Sequence, residues 1–554
     1  MSFDLSTYYK VVDAADITEE LDCVNILQET EWRINERVLE VMEQCWNSGN
    51  EWEGLPARDD LPLPAYPFSV EPSEMDEATQ LEFKEWKRRR GKIHEHNTLT
   101  MSKRYQVHKT IDLAKEYLKY DSFFFQWQLD FRTRKYPRET FLSPQVADYG
   151  KSLLEFAIGM PITCPEDATW LAIHGANQFG VDKVSLVDRE MWALSNTQNA
   201  LDVYEDPFSC LWWQEADKPW AALAWCFEWA EYTIALGEGR EFITRLPCQA
   251  DGSCNGIQHL SAMLLDEKGG KSVNLLPSDK PEDIYGDVAA MATVTLQAEA
   301  DKGNEVAEQL LEVGVCRAIA KRPVMIVPYS GTIHACRDYV RQALVKKCNG
   351  NAPWGDNYTP AVMLATTHIW DAISSTITGA RQVMDYITQI ATEYGKHNTI
   401  MEWKTPTGFP VQQRYFKKKT RQCKVHLIDQ VVKVDYDDEV AVIDSRRYKS
   451  SSSPNFVHSM DACALTLTVN RCREAGILDF AMIHDSFGTY SPQMPLMSEC
   501  LRESFVELYT SKDWLYELWI EAKRKLPTDA NLPLPPKKGN LNLKEVLSSK
   551  YFFA

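Results

Sequence analysis

The chain's 554 residues are 44% hydrophobic and 25% charged, with a formal net charge of -19. That length exceeds what one hydrophobic core can serve, so several subdomains are expected, and the composition excludes a disordered or fibrous chain. The acidic excess counts against a nucleic-acid partner only if it is spread evenly, because phosphate binding depends on local clusters of Lys and Arg.

Residues 20 to 120 read as largely helical. ETEWRINERVLEVMEQCW (29 to 46) places apolar residues at helical spacing, LPLPAYPFSVEP (61 to 72) interrupts with prolines, and a long helix-forming stretch follows up to Tyr120. That stretch carries a basic run, KEWKRRRGKIHEHNTLTMSKRYQVHK (84 to 109), and RYFKKKTRQCKVH (414 to 426) is a second. Taken alone, each run reads first as a solvated face. A mixed region is expected over 121 to 265, a helix-rich block over about 268 to 458 and a mixed tail from 459 to the end, giving an α+β, predominantly helical fold.

The fourteen cysteines form no CxxC pair, which fits reduced thiols in a cytoplasmic protein and gives no structural zinc site. The opening MSFDLSTYYKVVDAADITEE has neither a secretory pattern nor the acid-poor composition of a transit peptide. No membrane partner is expected: the longest apolar stretch, AALAWCFEWAEYTIAL (221 to 236), is interrupted by Glu228 and Glu231.

Three stretches carry chemistry. EFITRLPCQADGSCNGIQHLSAM (241 to 263) reads as a strand ending at Asp251, then a turn of small residues into a helix. FAMIHDSFGTYSP (480 to 492) reads as an apolar strand with His484 and Asp485 set into it. A lone carboxylate in such a strand is costly unless paired, hydrogen-bonded or bound to a metal. Two carboxylates at strand ends suit a hard cation such as Mg²⁺, which takes oxygen ligands; a capping or core role for each Asp is the plainer alternative. In LEVGVCRAIAKRPVMIVPYSGT (311 to 332), Arg317, Lys321, Met325 and Tyr329 recur every four residues, as along one helix face, although Pro323 and Pro328 should kink or end that helix. Two cations followed by an apolar and an aromatic residue would grip a phosphate at one end and a base or sugar at the other.

Together these stretches resemble the single-subunit RNA polymerases of T7-like bacteriophages and mitochondria. DGSCNGIQH (251 to 259) is similar to that family's first catalytic motif, RAIAKRPVMIVPYSG (317 to 331) to its nucleotide-binding helix and IHDSFG (483 to 488) to its second catalytic motif. IHGANQFGVDKV (173 to 184), VNLLPSDKPEDIYG (273 to 286), TPTGFPVQQ (405 to 413), PNFVHSMDA (454 to 462) and the terminal GNLNLKEVLSSKYFFA also match, so the likeness runs from about residue 25 to the end.

The resemblance implies a right-hand fold: residues 1 to 120 as thumb, 121 to 267 and 459 to 554 as palm, and 268 to 458 as fingers, with a specificity-type hairpin near 409 to 447 carrying Lys418, Arg421 and Lys424 toward DNA. It implies template-directed ribonucleotidyl transfer, with a DNA template, ribonucleoside triphosphates and an RNA product. Asp251, Asp485 and the Gly252 carbonyl would hold two Mg²⁺ ions, with Lys321, Tyr329 and His484 as further catalytic residues. Arg317 and Lys321 would neutralise the triphosphate, Tyr329 would stack near the base and sugar, and Gly256 would leave room for a 2′-hydroxyl. His458 would approach from the minor-groove side, Arg322 and Met325 would line the template side, and Arg132, Arg134 and Tyr136 would contact template and hybrid. Thr133 stands where the family commonly has Gly, and Ser330 follows Tyr329 where Gly is usual. The family's long N-terminal promoter-binding domain has no counterpart in this sequence, which implies a compact polymerase, a fragment, or a protein partner that recognises and opens promoters. A family A DNA polymerase, a two-metal nuclease and a catalytically altered nucleic-acid-binding relative are the competing classes.

Overall fold

The computed structural model describes residues 5 to 355, 357 to 427 and 430 to 554. Helices predominate, and each sheet among the described residues has two antiparallel strands, so the fold is α+β. No described helix is long and apolar enough to cross a membrane.

The N-terminal region is built as its pattern predicts. Glu36–Asn47 starts where the Asn35 side chain accepts from the Val38 amide, and it buries Val38, Leu39, Val41, Met42, Cys45 and Trp46 on one side. Glu77–Tyr117 is a single 41-residue helix, capped by Asp76. At 1.5 Å per residue it reaches about 60 Å. It buries only Val107, Thr110, Ile111 and Ala114 near its C-terminal end, so the rest projects from the core and most of its basic run faces solvent. The Pro-rich segment folds back along it, where Tyr66 and Phe68 pack their rings on Phe83 and Trp86.

The centre is a helix buried nearly all round. Pro219–Glu238 carries Trp220, Trp225, Phe227 and Trp229, all under a tenth exposed. Its N-terminus is fixed by Asp148, whose carboxylate accepts from the amides of Trp220 at 2.9 Å and Ala221 at 3.3 Å. The strand Cys248–Asp251 pairs with Ser486–Thr489, Asp251 opposite Ser486 and Cys248 opposite Thr489. Behind it the helix Asn255–Leu264 is buried at every position.

One expected element differs. Residues 480 to 485 do not form a strand with Asp485 inside it: Ile483 and Ser486 exchange both backbone hydrogen bonds, at 2.9 and 3.0 Å, which makes His484 and Asp485 the two residues of a tight turn. The turn resolves the cost of a carboxylate in an apolar strand by placing it at the tip, out of the core. The chain end lies across this unit, with Gly252 bridging Phe553 and the Ala554 amide donating to the Asp251 carbonyl at 3.3 Å.

The helix-rich block includes Ile284–Ala300, Arg317–Ile326, Thr359–Thr376 and Thr378–Lys396. A long hairpin, Phe416–Leu427 with Gln430–Ile443, then leads into the 30-residue helix Ser445–Glu474, which runs continuously across the 458/459 boundary expected between fingers and palm.

Two histidines are sealed in this core. His174 accepts from the Gln249 amide and is 4% exposed; His259 meets the Tyr509 hydroxyl and is 1% exposed. Burial lowers each ring to about 3. A ring that protonates near 6.5 when unfolded but near 3 when folded gives stability that is present above 6.5 and is lost as pH falls toward 3. Each should cost about 2 kcal/mol by pH 5, at about 1.36 kcal/mol per pH unit. Urea midpoints falling steeply between pH 6.5 and 5, with the fall reduced in His259→Gln, are the expected result.

Candidate active site

Asp251 and Asp485 converge. Asp251 ends its strand and Asp485 stands one residue before its partner Ser486, while the Gly252 amide donates to the Asp485 carbonyl at 3.0 Å. Both carboxylates line one cleft, together with Gly252, Arg317, Lys321 and Met325. The Asp251 side chain is 58% accessible, so ions reach it, yet protein surrounds the cleft on most sides. Desolvation there pushes the Asp251 carboxyl up, and the Lys218 ammonium, the Ser486 hydroxyl and the Lys151 ammonium together more than reverse it, leaving it below its ordinary value. Asp485 is raised, first by desolvation and then by the Asp251 charge. A pair of like charges facing a cleft, one of them resisting ionisation, is a site that a divalent cation would stabilise, and its carboxylate oxygens would suit Mg²⁺.

The cation row forms one wall. Arg317–Ile326 stays helical through Pro323 and ends in a 3-10 turn, Val327–Tyr329. Arg317, Lys321 and Met325 line the cleft, as their four-residue spacing predicts. Arg317 is held by Asp283, at 3.1 and 3.2 Å from its Nε, and approaches Asp182 at 3.8 Å. Burial and then the Arg317 charge push the Lys321 ammonium down. Arg322 points elsewhere, donating to Gln342 and lying over Tyr339, so the structure does not bring it to the cleft.

Tyr329 leaves the row because the 3-10 turn rotates it inward. Its ring lies 4.7 Å from the His458 ring and its hydroxyl hangs over Gly256. A Cβ on Gly256 would meet Pro328 Cβ at 2.9 Å and Tyr329 Oη at 3.1 Å, so the expected empty wall at Gly256 is corrected: the tyrosine fills it. Gly331 has a similar constraint, since a Cβ there would sit 2.6 Å from the Ile326 carbonyl oxygen.

The loop between Trp127–Leu129 and Lys135–Pro137 does not line the cleft itself but packs beside it, against His458, Asp461 and His484. Arg132 is clamped by Asp130 and donates to His458 Nδ1 at 2.9 Å; Arg134 grips Asp461 through two contacts of 3.0 and 2.5 Å. Desolvation, then Arg134 and Arg132, lower His458 to about 2 and His484 to about 3, so both rings are neutral near pH 7. His484 packs edge-on to Tyr136 at 4.6 Å. Lys418 and Arg421 lie on the exposed hairpin, facing Asp437 and Asp438 across it; Lys424 is exposed on the same strand. None of the three lines the cleft.

Both departures from the family pattern keep the turn geometry that glycine favours, with φ of 71° at Thr133 and 59° at Ser330. Thr133 is fully buried, and its hydroxyl has no hydrogen-bond partner among the described residues. A β-branched residue in the left-handed region costs about 1–2 kcal/mol and an unsatisfied hydroxyl about 1–3 kcal/mol. Loss of two buried carbons, Cβ and Cγ2, and gain of chain entropy give back about 2.4 kcal/mol. Thr133→Gly is therefore expected to stabilise by about 1 kcal/mol, read as a higher urea midpoint at unchanged slope.

Several residues of the cleft escaped the sequence reading. Asp182 and Lys183, and Asp283, which holds Arg317 from outside the lining, lay inside matching stretches whose individual residues had no assigned role. Lys151 and Lys218 lay outside every motif, and only the fold brings them to Asp251.

Residues 163–532 match the family model for DNA-dependent RNA polymerase. The chain is 33% identical to the DNA-directed RNA polymerase of Enterobacteria phage T3, over 97% of this chain and 64% of that protein. It is 32% identical to T7 RNA polymerase of Escherichia phage T7, over 97% and 64%. Against the mitochondrial DNA-directed RNA polymerase of Schizosaccharomyces pombe the identity is 31%, over 98% and 49%. A cleft with paired aspartates opposite a helix of cations thus sits in a chain whose relatives are polymerases of phages and mitochondria. The chain belongs to the DNA-dependent RNA polymerase family, and it spans about half to two thirds of the length of these relatives.

Proposed function

We propose that this chain catalyses template-directed RNA synthesis, joining ribonucleoside triphosphates on a DNA template. The observation that carries this reading is the convergence of Asp251 and Asp485 on one cleft that the cations of Arg317 and Lys321 also line. Two Mg²⁺ ions held by Asp251, Asp485 and the Gly252 carbonyl would make the RNA 3′-hydroxyl a better nucleophile and neutralise the departing pyrophosphate. Arg317 and Lys321 bind the triphosphate, and their fixed charges act where negative charge develops. Arg317 must first loosen its contacts with Asp283 and Asp182, so nucleotide binding exchanges internal partners for phosphate oxygens. His484, neutral and packed on Tyr136, holds the turn that presents Asp485. Arg132, Arg134 and Tyr136 guide the template and hybrid, and the hairpin of Lys418, Arg421 and Lys424 contacts DNA outside the cleft. The division into thumb, palm and fingers belongs to the same proposal.

Sugar choice rests on Tyr329. Its hydroxyl sits beside Gly256 and its ring beside neutral His458, a polar corner that loses hydrogen bonding when the substrate lacks a 2′-hydroxyl. The test is extension of an RNA primer on a DNA template with either four ribonucleotides or four deoxyribonucleotides. The parent should prefer ribonucleotides, and Tyr329→Phe should keep elongation while narrowing that preference about tenfold, as one lost hydrogen bond of about 1.4 kcal/mol allows. A parent that prefers deoxyribonucleotides overturns the proposal in favour of a DNA polymerase. An unchanged preference in Tyr329→Phe reduces the tyrosine to a packing ring.

A further inference from the structure

The cleft contains a cation that no motif accounts for. Lys218 Nζ lies 3.5 Å from Asp251 Oδ2, and among the described residues it is the charged group in ion-pair contact with the aspartate pair. Its backbone is anchored on both sides: its amide donates to the Gln178 carbonyl at 3.0 Å, and the next residue, Pro219, opens the buried central helix that Asp148 caps. The side chain is 37% exposed on a flexible four-carbon stem, so the ammonium can leave Asp251 while the main chain stays fixed. Two carboxylates and no cation would repel each other in a partly desolvated cleft.

We propose that Lys218 is an internal counter-ion of the metal site, seated on Asp251 when no divalent ion is bound and displaced when one enters. The inference rests on the reading that Asp251 and Asp485 hold the metal. A divalent ion must then compete with an intramolecular ammonium, and the protein without nucleotide binds it weakly. A metal that arrives with the triphosphate brings a new partner for the displaced ammonium, since Lys218 shares the cleft with Arg317 and Lys321. Lys218 thereby couples metal entry to nucleotide entry by charge, as a positioning residue acting through Asp251.

Mn²⁺, a paramagnetic substitute for Mg²⁺, tests this on the full chain without nucleotide or nucleic acid. Free Mn²⁺ is read by electron paramagnetic resonance, so the measurement does not depend on turnover. Lys218→Gln, which keeps length and loses charge, should bind Mn²⁺ about fivefold more tightly, the upper range for a partly exposed ion pair. Lys218→Arg should keep the parental affinity. Mn²⁺ affinity in Lys218→Gln that is unchanged, weaker or undetectable overturns the proposal, as does equal tightening in Lys218→Arg. Asp485→Asn separates the two readings: if it leaves parental Mn²⁺ binding intact, the metal-site assignment itself fails; if it abolishes binding while Lys218→Gln changes nothing, only the counter-ion role fails.

Discussion

Asp485→Asn should lower nucleotide incorporation on a primed template by about three orders of magnitude or more, with nucleic-acid affinity within a few-fold of the parent. The substitution keeps the shape of the side chain and removes the charge. Asp485 is exposed at the tip of its turn, and the backbone hydrogen bonds that form the turn run between Ile483 and Ser486, so the fold does not depend on its carboxylate. Its carboxyl is raised by desolvation and by Asp251, which means that holding it ionised costs free energy in the ion-free protein. The Asn variant should therefore be as stable as the parent or slightly more so while losing activity, as expected where a charge is kept for chemistry at the expense of folding. Single-turnover incorporation and thermal unfolding, measured on the same preparation, check both halves. Near-parental incorporation removes Asp485 from the metal site, and a large loss of stability shows that the carboxylate supports the fold instead.

Much of this site was legible because its sequence signals are local. Strand, carboxylate, small-residue turn and helix follow one another between Cys248 and Leu264, each with its own physical cue, although the strand expected from Phe242 onward is broken into two that join different sheets. The spacing of Arg317, Lys321 and Met325 survived because a proline in a helix interior removes one hydrogen bond without necessarily stopping the helix. What was misjudged depended on partners distant in sequence. Apolar FAMI reads as a strand, but the residues that follow turn back on it at His484 and Asp485, and alternation alone does not show which apolar residue is the last before a turn. Gly256 read as open space because a missing side chain says nothing about what fills the gap, here the Tyr329 ring brought in by a 3-10 turn. Lys218 was invisible: 33 residues separate it from Asp251, and a lysine before a proline carries no signal of its own. Thr133 and Ser330 show the reverse case, in which the residue departs from the family pattern and the backbone does not.

Lys135→Met is expected to destabilise the protein by about 3–5 kcal/mol, because it leaves a buried charge without its partner. Lys135 is 1% exposed and Glu20 0%, with Nζ 2.5 Å from Glu20 Oε2. The ammonium also donates to the Ala462 carbonyl and the Thr466 hydroxyl, while Glu20 accepts from the hydroxyls of Thr407 and Thr466. This network joins the helix Thr18–Glu29, the strand Lys135–Pro137, the turn near Thr407 and the helix Ser445–Glu474, so four distant segments share one pair of charges. It bears on function because Lys135 sits between Arg134, which grips Asp461, and Tyr136, which packs on His484. Loosening that anchor should displace the loop and lower extension more than the loss of folded protein accounts for. Pairing Lys135→Met with Glu20→Gln removes both charges and should recover much of the stability, since a neutral buried pair lacks the unpaired-charge penalty. Urea unfolding of the two single variants and the double variant, with extension assayed well below the unfolding midpoint, measures both effects. A Lys135→Met protein within about 1 kcal/mol of the parent would show that solvent reaches Glu20 and that the network does not anchor the loop.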